Sequence, residues 1–327
     1  MEARSVNGPG VIAVTGLRTH VGARLVDRLL AGGAGRRVVG LDHRRPFGLD
    51  ERVAFHRVDL TGPSADSRIA EILVRERVEV LVHCAFRREP TPDLEIDHEI
   101  ETIGSRHVMN ACAAAKLRRI VVASSTMLYG PRPDNPNFLT EKSPLRGHRA
   151  AHCVRNRVEV EEDLARWVGL HPDAEVTVLR TCWILGPGHR DAGVRYLSLP
   201  VVPTVMGFDP LLQFVHEEDV VHAFERASLG PHPGIFNVVG RGVLPLSILL
   251  RLAGSRNLPL PTPLLYRVAA APARAQTGDP PAGFYDYLRY LWVADGEKGW
   301  ATFGEPSYTS KEAWISAVAA RRMRRYR

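Results

Sequence analysis

The most constraining stretch of the chain is Val11-Ile12-Ala13-Val14-Thr15-Gly16-Leu17-Arg18-Thr19-His20-Val21-Gly22, running on into Ala23-Arg24-Leu25-Val26-Asp27-Arg28-Leu29-Leu30. Four apolar residues precede a glycine turn, and Val21, Leu25, Val26 and Leu29 then recur at helical spacing. The stretch predicts a buried strand, a tight turn and an amphipathic helix. A turn that delivers a helix N-terminus to the end of a parallel strand is a pyrophosphate site, because backbone N–H groups and the helix dipole both face the anion. Gly16 permits the sharp turn, and Gly22 permits close packing of helix on strand. The middle glycine of such a loop is Thr19 here, so a side chain stands where the backbone should approach the phosphates most closely. An ordinary strand–turn–helix is the alternative reading of the same residues.

The next segment bears on that choice. Residues 37–42 read as a second strand ending in Asp42, 20 residues beyond Gly22. An acidic side chain there accepts both hydroxyls of an adenosine ribose and repels a 2′-phosphate, which favours NAD over NADP. Arg44 and Arg45 follow at once and could pair with such a phosphate. Further strands are expected over 53–58, ending in Asp59-Leu60, and over 78–83, 119–123 and 176–180. Helices are expected over 66–75, 99–115 and 152–168. Strands alternating with helices at this spacing predict an α/β fold with a doubly wound parallel sheet and right-handed crossovers.

Beyond Gly186-Pro187-Gly188 the pattern loosens. A short strand is expected over 213–216, a helix capped by Asp219 and running to Ala227, and another strand over 235–239. Residues 255–281 hold six prolines and read as an irregular lobe. Thr309-Ser310-Lys311-Glu312 is a capping box ahead of a last helix. The domain reading is a disordered tail over 1–10, a dinucleotide-binding domain over 11–180, a mixed region over 181–320 that completes the sheet and forms a smaller lobe, and a basic tail over 321–327.

Composition excludes several classes. The formal charge is +7, but no nucleic-acid motif concentrates it. The dense basic run at 321–327 reads as a solvated tail. No apolar run approaches the ~18–20 residues of a membrane span. The four cysteines, Cys84, Cys112, Cys153 and Cys182, form no CxxC pair, so neither a disulfide framework nor a zinc knuckle is indicated and a reducing cytoplasm fits. His148 and His152 sit at i,i+4 without a third ligand, so no metal site is expected.

These residues together resemble an extended short-chain dehydrogenase/reductase of the NAD-dependent epimerase/dehydratase family. The resemblance rests on Thr15-Gly16…Gly22, Asp42, Asp59-Leu60, His83-Cys84-Ala85, Ser124-Ser125…Tyr129-Gly130, Leu179-Arg180, Gly186-Pro187-Gly188 and Phe214-Val215-His216-Glu217-Glu218-Asp219. It implies a Rossmann-type domain with a smaller C-terminal substrate lobe, NAD as cofactor and a small-molecule substrate. Gly16, Thr19, His20, Val21 and Gly22 would lie along the pyrophosphate, and Asp42 on the adenosine ribose. Asp59 and Leu60 would flank the adenine, and Cys84 and Ala85 would pack near the linker between the nucleotides. Ser125 matches the hydroxyl that hydrogen-bonds the reacting oxygen. Relatives often pair two helices from each subunit, which here would be those near 99–115 and 152–168 in a homodimer.

The family's Tyr-x-x-x-Lys pair is missing. Cys153 falls at the tyrosine and Arg157 at the lysine. An arginine can hold a ribose but is a poor proton relay, and a thiol is shorter than a phenol. His148, His152 or Tyr129 could stand in as acid or base. Leu212 replaces an arginine that grips nucleotide-sugar diphosphates in relatives. Trp183 and Glu101 replace two asparagines. Leu212 and Trp183 would suit a more apolar substrate, or belong to the core. The expected function is an NAD-dependent oxidoreductase or epimerase acting on an alcohol or sugar-type carbon. An NAD-binding protein without redox turnover is the alternative, and a partner protein that no longer binds NAD is a third reading.

Overall fold

A run of apolar residues such as Ile12, Ala13 and Val14 can be buried on both faces only at the centre of a parallel sheet. The computed structural model puts it there, with all three 0% exposed. It describes residues 10–32, 36–86, 94–149, 151–189, 192–267 and 282–324.

The first half alternates regularly: β1 (Val11–Thr15), α1 (His20–Ala31), β2 (Arg37–Asp42), β3 (Ala54–Arg57), α2 (Ala65–Arg75), β4 (Val80–His83), α3 (Leu94–His98), a π-helical turn (Glu99–Ile103), α4 (Gly104–Ala114), β5 (Arg119–Ser125), a short 3-10 turn (Thr126–Tyr129), α5 (His152–Leu170) and β6 (Glu175–Thr181). The second half is shorter-stepped: β7 (Trp183–Leu185), α6 (Ala192–Leu197), β8 (Val201–Val205), β9 (Leu211–Leu212), β10 (Phe214–His216), α7 (Glu217–Leu229), β11 (Gly234–Val238), β12 (Leu244–Pro245), α8 (Leu246–Ala253), β13 (Arg256–Leu260), α9 (Glu297–Phe303) and α10 (Ser310–Arg324).

Seven strands form one sheet in the order β3-β2-β1-β4-β5-β6-β11, every neighbouring pair parallel. The doubly wound sheet is therefore as expected, and its seventh strand comes from beyond residue 181. Alternation along β1 splits the core. Ile12 and Val14 join Leu25 and Leu29 of α1 and Val220 and Phe224 of α7 on one face. Ala13 joins Ile69 and Ile72 of α2, Val108 and Cys112 of α4, and Val160 and Leu164 of α5 on the other.

Four local expectations change. The helix expected over 99–115 begins at Leu94 and passes through five residues of π geometry before α4. Asp219 does not cap α7: His216 does, its ring accepting from the Glu218 amide, while Asp219 accepts from the amides of Ser307 and Tyr308. The proline-rich segment is not wholly irregular, because β13 pairs in parallel with β8; its residues 268–281 lie outside the described ones. Part of the basic tail is helix: Arg321 bonds the Ser198 carbonyl and Arg322 those of Leu252 and Ala253, so these cations satisfy exposed carbonyls. The tail expected over 1–10 lies outside the description except for Gly10. The capping box forms, with Glu312 Oε2 accepting from the Thr309 amide at 2.8 Å and Thr309 Oγ1 accepting from the Glu312 amide at 3.2 Å. No helix among the described residues is long and apolar enough to cross a membrane.

Candidate functional site

The carboxyl ends of β1, β2, β4 and β5 form one edge, and the residues singled out in the sequence gather along it. Gly16 adopts φ +73°, and a Cβ there would lie 2.6 Å from the Ala85 backbone and 2.7 Å from the Cys84 carbonyl carbon. The turn thus lies flat on the Cys84-Ala85 step that follows β4. A Cβ at Gly22 would lie 2.3 Å from the Gly16 carbonyl oxygen, so the helix packs directly on the turn.

Thr19 does not stand in the way as its position in the motif suggested. Its hydroxyl turns back into the loop, donating to the Gly16 carbonyl at 2.7 Å and accepting from the Gly22 amide at 3.1 Å. It is the N-cap of α1. His20 and Val21 follow as the first residues of the helix. Val21 is buried at 4%, while the His20 side chain keeps 21% exposure.

Asp42 ends β2 at 8% exposure. One carboxylate oxygen accepts from the Arg18 amide at 3.2 Å, and the other faces His43 Nδ1 at 2.8 Å. The glycine turn and the carboxylate that ends β2 are therefore tied together through the Arg18 amide. Each oxygen retains a lone pair for a ribose hydroxyl. Arg45 stacks over the Phe55 ring. Asp59 closes an Asx turn on Thr61, whose amide and hydroxyl hold the carboxyl below the usual range. Leu60 packs against Gly104, and its carbonyl accepts from His107.

Behind this edge lies a neutral relay. Thr15 Oγ1 and His83 Nδ1 are 2.6 Å apart, and His83 Nε2 and Ser105 Oγ are 3.0 Å apart. Ser105 donates to the Glu101 carbonyl, so it accepts from His83, which fixes the proton on Nε2 and leaves Thr15 to donate to Nδ1. Burial pushes His83 down to about 4 from its ordinary 6.5. Stability supplied by this neutral ring is full above pH 6.5. It falls between 6.5 and 4 as only the unfolded chain takes the proton, by roughly 3 kcal/mol. Denaturant melts from pH 7 to pH 4 should show that loss, and His83→Gln should flatten it; equal slopes in both proteins would refute the assignment.

The reacting end is less standard. Ser125, 7% exposed, ends β5, and its Oγ accepts from the Met127 amide at 3.2 Å, so its proton can serve a substrate oxygen. Arg157 on α5 reaches the same edge. Its Nη2 is 3.8 Å from Oε1 of Glu101, which is 1% exposed, and its guanidinium lies 5.5 Å over the Phe86 ring beyond β4. Cys153 lies on α5 one turn before Arg157, but its side chain, like that of His152, lies outside the described residues. His148 faces Asp286 at 3.4 Å.

Tyr129 is a correction. It is 0% exposed, donates to Asn237 Oδ1 at 2.7 Å and accepts from Arg180 Nη1 at 2.9 Å. Burial, outweighing the nearby Arg180, pushes its phenol up to about 12. It is a structural group rather than a proton carrier. Leu212 and Trp183 are core rather than substrate lining: Leu212 is 0% exposed, and Trp183 packs on Phe214 and Trp292.

Sequence reasoning gave no role to Glu217. This carboxylate, 3% exposed, meets His20 Nε2 at 2.7 Å and accepts from the Gly188 amide at 3.0 Å. Three consecutive acids at the start of α7 signal a helix N-terminus, but nothing local says which one turns inward.

The glycine turn on Ala85, the carboxylate ending β2 and the hydroxyl ending β5 share one sheet edge. In agreement, the family model for the NAD dependent epimerase/dehydratase family matches residues 12–239. The chain belongs to that family. An uncharacterized Mycobacterium tuberculosis protein, Rv0501, is 29% identical over 317 residues, covering 94% of this chain and 82% of that protein. A UDP-glucose 4-epimerase of Mycolicibacterium smegmatis is 29% identical over 253 residues, covering 70% of this chain and 77% of its own length. Among solved epimerase/dehydratase-like structures, a Thermotoga maritima UDP-glucose 4-epimerase with UDP-glucose superposes with a TM-score of 0.73 at 18% identity, covering 96% of this chain and 99% of its own. MoeE5 in complex with UDP-glucuronic acid and NAD gives 0.72 at 19% identity, covering 96% and 100%. These two likenesses show the fold.

Proposed function

We propose that the chain binds NAD across the carboxyl edge of the sheet and acts as an NAD-dependent oxidoreductase or epimerase on an alcohol or sugar-type carbon, without the family's tyrosine–lysine pair. The observation that carries this reading is the closed turn of Gly16 on Ala85, with the Arg18 amide aimed at Asp42. A Cβ at Gly16 would collide with the Ala85 backbone and lift the turn off the sheet edge, and the carboxylate would select a ribose with both hydroxyls. Asp42 also favours NAD over NADP by repelling a 2′-phosphate. NAD, when bound, supplies the acceptor and donor of a hydride.

The chain's own residues would do the rest. Ser125 donates its proton to the substrate oxygen and fixes the reacting carbon. Arg157 hydrogen-bonds the nicotinamide ribose from its seat over Phe86. With Tyr129 sealed in the core, the candidate proton carriers this reading retains are Cys153, His148 and His152. The nucleotide-sugar epimerases among the relatives make sugar nucleotides the first substrates to try. Leu212, in place of the diphosphate-gripping arginine, removes one reason to expect their usual pose.

A second reading, NAD binding without turnover, is favoured by Arg157 itself. An arginine beside a buried carboxylate keeps its charge and passes no proton.

Mass spectrometry of the supernatant from denatured protein should show NAD or NADH. Turnover of sugar nucleotides or hydrophobic alcohols should then fall about a hundredfold in Ser125→Ala, with NAD retained. NAD retained with every substrate inert supports the second reading. Protein that neither carries NAD nor takes it up in calorimetry overturns both.

A further inference from the structure

The buried contact between Glu217 and His20 spans 197 positions of sequence and joins two loops of the site. His20 opens α1, on the turn that would face the diphosphate. Glu217 opens α7 and is wedged against the Gly186-Pro187-Gly188 loop: a Cβ at Gly186 would lie 2.3 Å from its carboxyl carbon, and one at Gly188 would lie 2.9 Å from His20 Cε1. The His20 ring also meets the edge of His189, centroids 4.9 Å apart. Arg24, one turn along α1, pairs with Glu218. Burial alone would raise the Glu217 pKa, yet the His20 ring, the Gly188 amide and the charge of Arg24 hold it below the usual carboxylate range.

The turn has lost one anion donor. Thr19 Oγ1 occupies the Gly22 amide, which an open glycine loop would leave to the ligand. A side chain that brings a positive charge would replace it. An imidazole between a buried carboxylate and a diphosphate faces negative charge on both sides, which stabilises its doubly protonated form.

We propose that Glu217 and His20 form a carboxylate–imidazole pair that makes cofactor binding proton-linked, His20 carrying both ring protons when the diphosphate is bound. The proposal rests on the NAD reading above. The balance is simple: one proton is taken from solvent onto His20, no bond to the cofactor forms, and the proton leaves when the diphosphate does. The charged groups facing the ring are Glu217 and Glu218 of α7, His189 of the loop, and Arg24 of its own helix. Because Glu217 also holds the Gly188 amide, the same proton couples the cofactor to the loop leading into the C-terminal lobe.

The decisive measurement is calorimetric affinity for NAD, ADP-ribose and adenosine between pH 6 and 8.5. NAD and ADP-ribose affinity should fall about tenfold as pH rises, while adenosine, which lacks the diphosphate, stays flat and controls for His43 beside Asp42. His20→Gln should abolish the pH slope. Glu217→Gln should weaken NAD binding about tenfold at pH 7. Simple repulsion predicts the opposite sign, since removing an acid near a diphosphate would tighten binding. Melting curves verify folding, and His20→Gln, at a partly exposed site, serves if Glu217→Gln does not fold. Wild-type binding that is flat with pH, or unweakened in Glu217→Gln, overturns the pair while leaving NAD binding intact. No binding by the wild type at any pH overturns the underlying reading and this one with it.

Discussion

Glu161→Gln is expected to lower the unfolding free energy by about 3–5 kcal/mol, the usual consequence of stranding a buried charge. Arg180 and Glu161 are 4% and 6% exposed in their side chains. Arg180 Nε bonds both carboxylate oxygens, at 3.0 and 3.1 Å, and Nη2 adds a third contact. Ser124 also donates to Glu161. The guanidinium reaches on to the Tyr129 hydroxyl, which reaches Asn237, whose amide nitrogen bonds the Leu139 and Asp295 carbonyls at 3.2 and 2.8 Å. One pair thus links β5, β6, β11 and α5. Neutralising the carboxylate leaves a cation with no water to turn to. The double variant Glu161→Met with Arg180→Met should recover much of the loss, because neither charge is then buried. Chemical denaturation decides it: a loss below about 1 kcal/mol in the single variant would show that the pair is dispensable.

Gly16→Val should abolish detectable NAD binding and destabilise the fold by about 2–4 kcal/mol. Two effects add. Gly16 sits at φ +73°, where a β-branched residue is strained, and its Cβ would lie 2.6 Å from the Ala85 backbone, which β4 holds fixed. Neither atom is a flexible side chain, so the turn must lift off the sheet edge and lose its approach to a diphosphate. Gly48 is the control. It has φ +72° with nothing within 4 Å of a Cβ, so Gly48→Val carries the backbone strain alone. If the two variants lose equal stability and both bind NAD, the close approach at Gly16 has no functional meaning.

How much of this was legible beforehand depends on the range of the interaction. The apolar run of β1, the Gly16 to Gly22 spacing and Asp42 are local patterns, and each gave its element and its place. The helix-capping hydroxyl of Thr19 was not legible, because a threonine in a glycine loop looks like an obstruction until its rotamer is seen. Tyr129 reads as a stand-in acid or base because the chain lacks the usual phenol and this one lies four residues after Ser125. Its burial follows from Arg180 and Asn237, 51 and 108 positions away. Glu217 was invisible for the same reason. For Trp183 and Leu212 the sequence leaves substrate lining and core both open, because side chains that line a site and side chains that fill a core have the same chemistry, and burial decides for the core. The π-helical turn before Gly104 left no signature in the apolar periodicity.

The placing of β1 at the middle of the sheet has a consequence for how the chain is made. Its Ile12 and Val14 face is covered by α1, at hand immediately, and by α7, which ends at Leu229. A ribosome must therefore deliver some two hundred further residues before that greasy flank acquires its second lid. The nascent first half carries an open apolar surface throughout, a state prone to sticking. A fragment cut at residue 180, however natural that boundary looks on paper, would be left in that half-roofed condition.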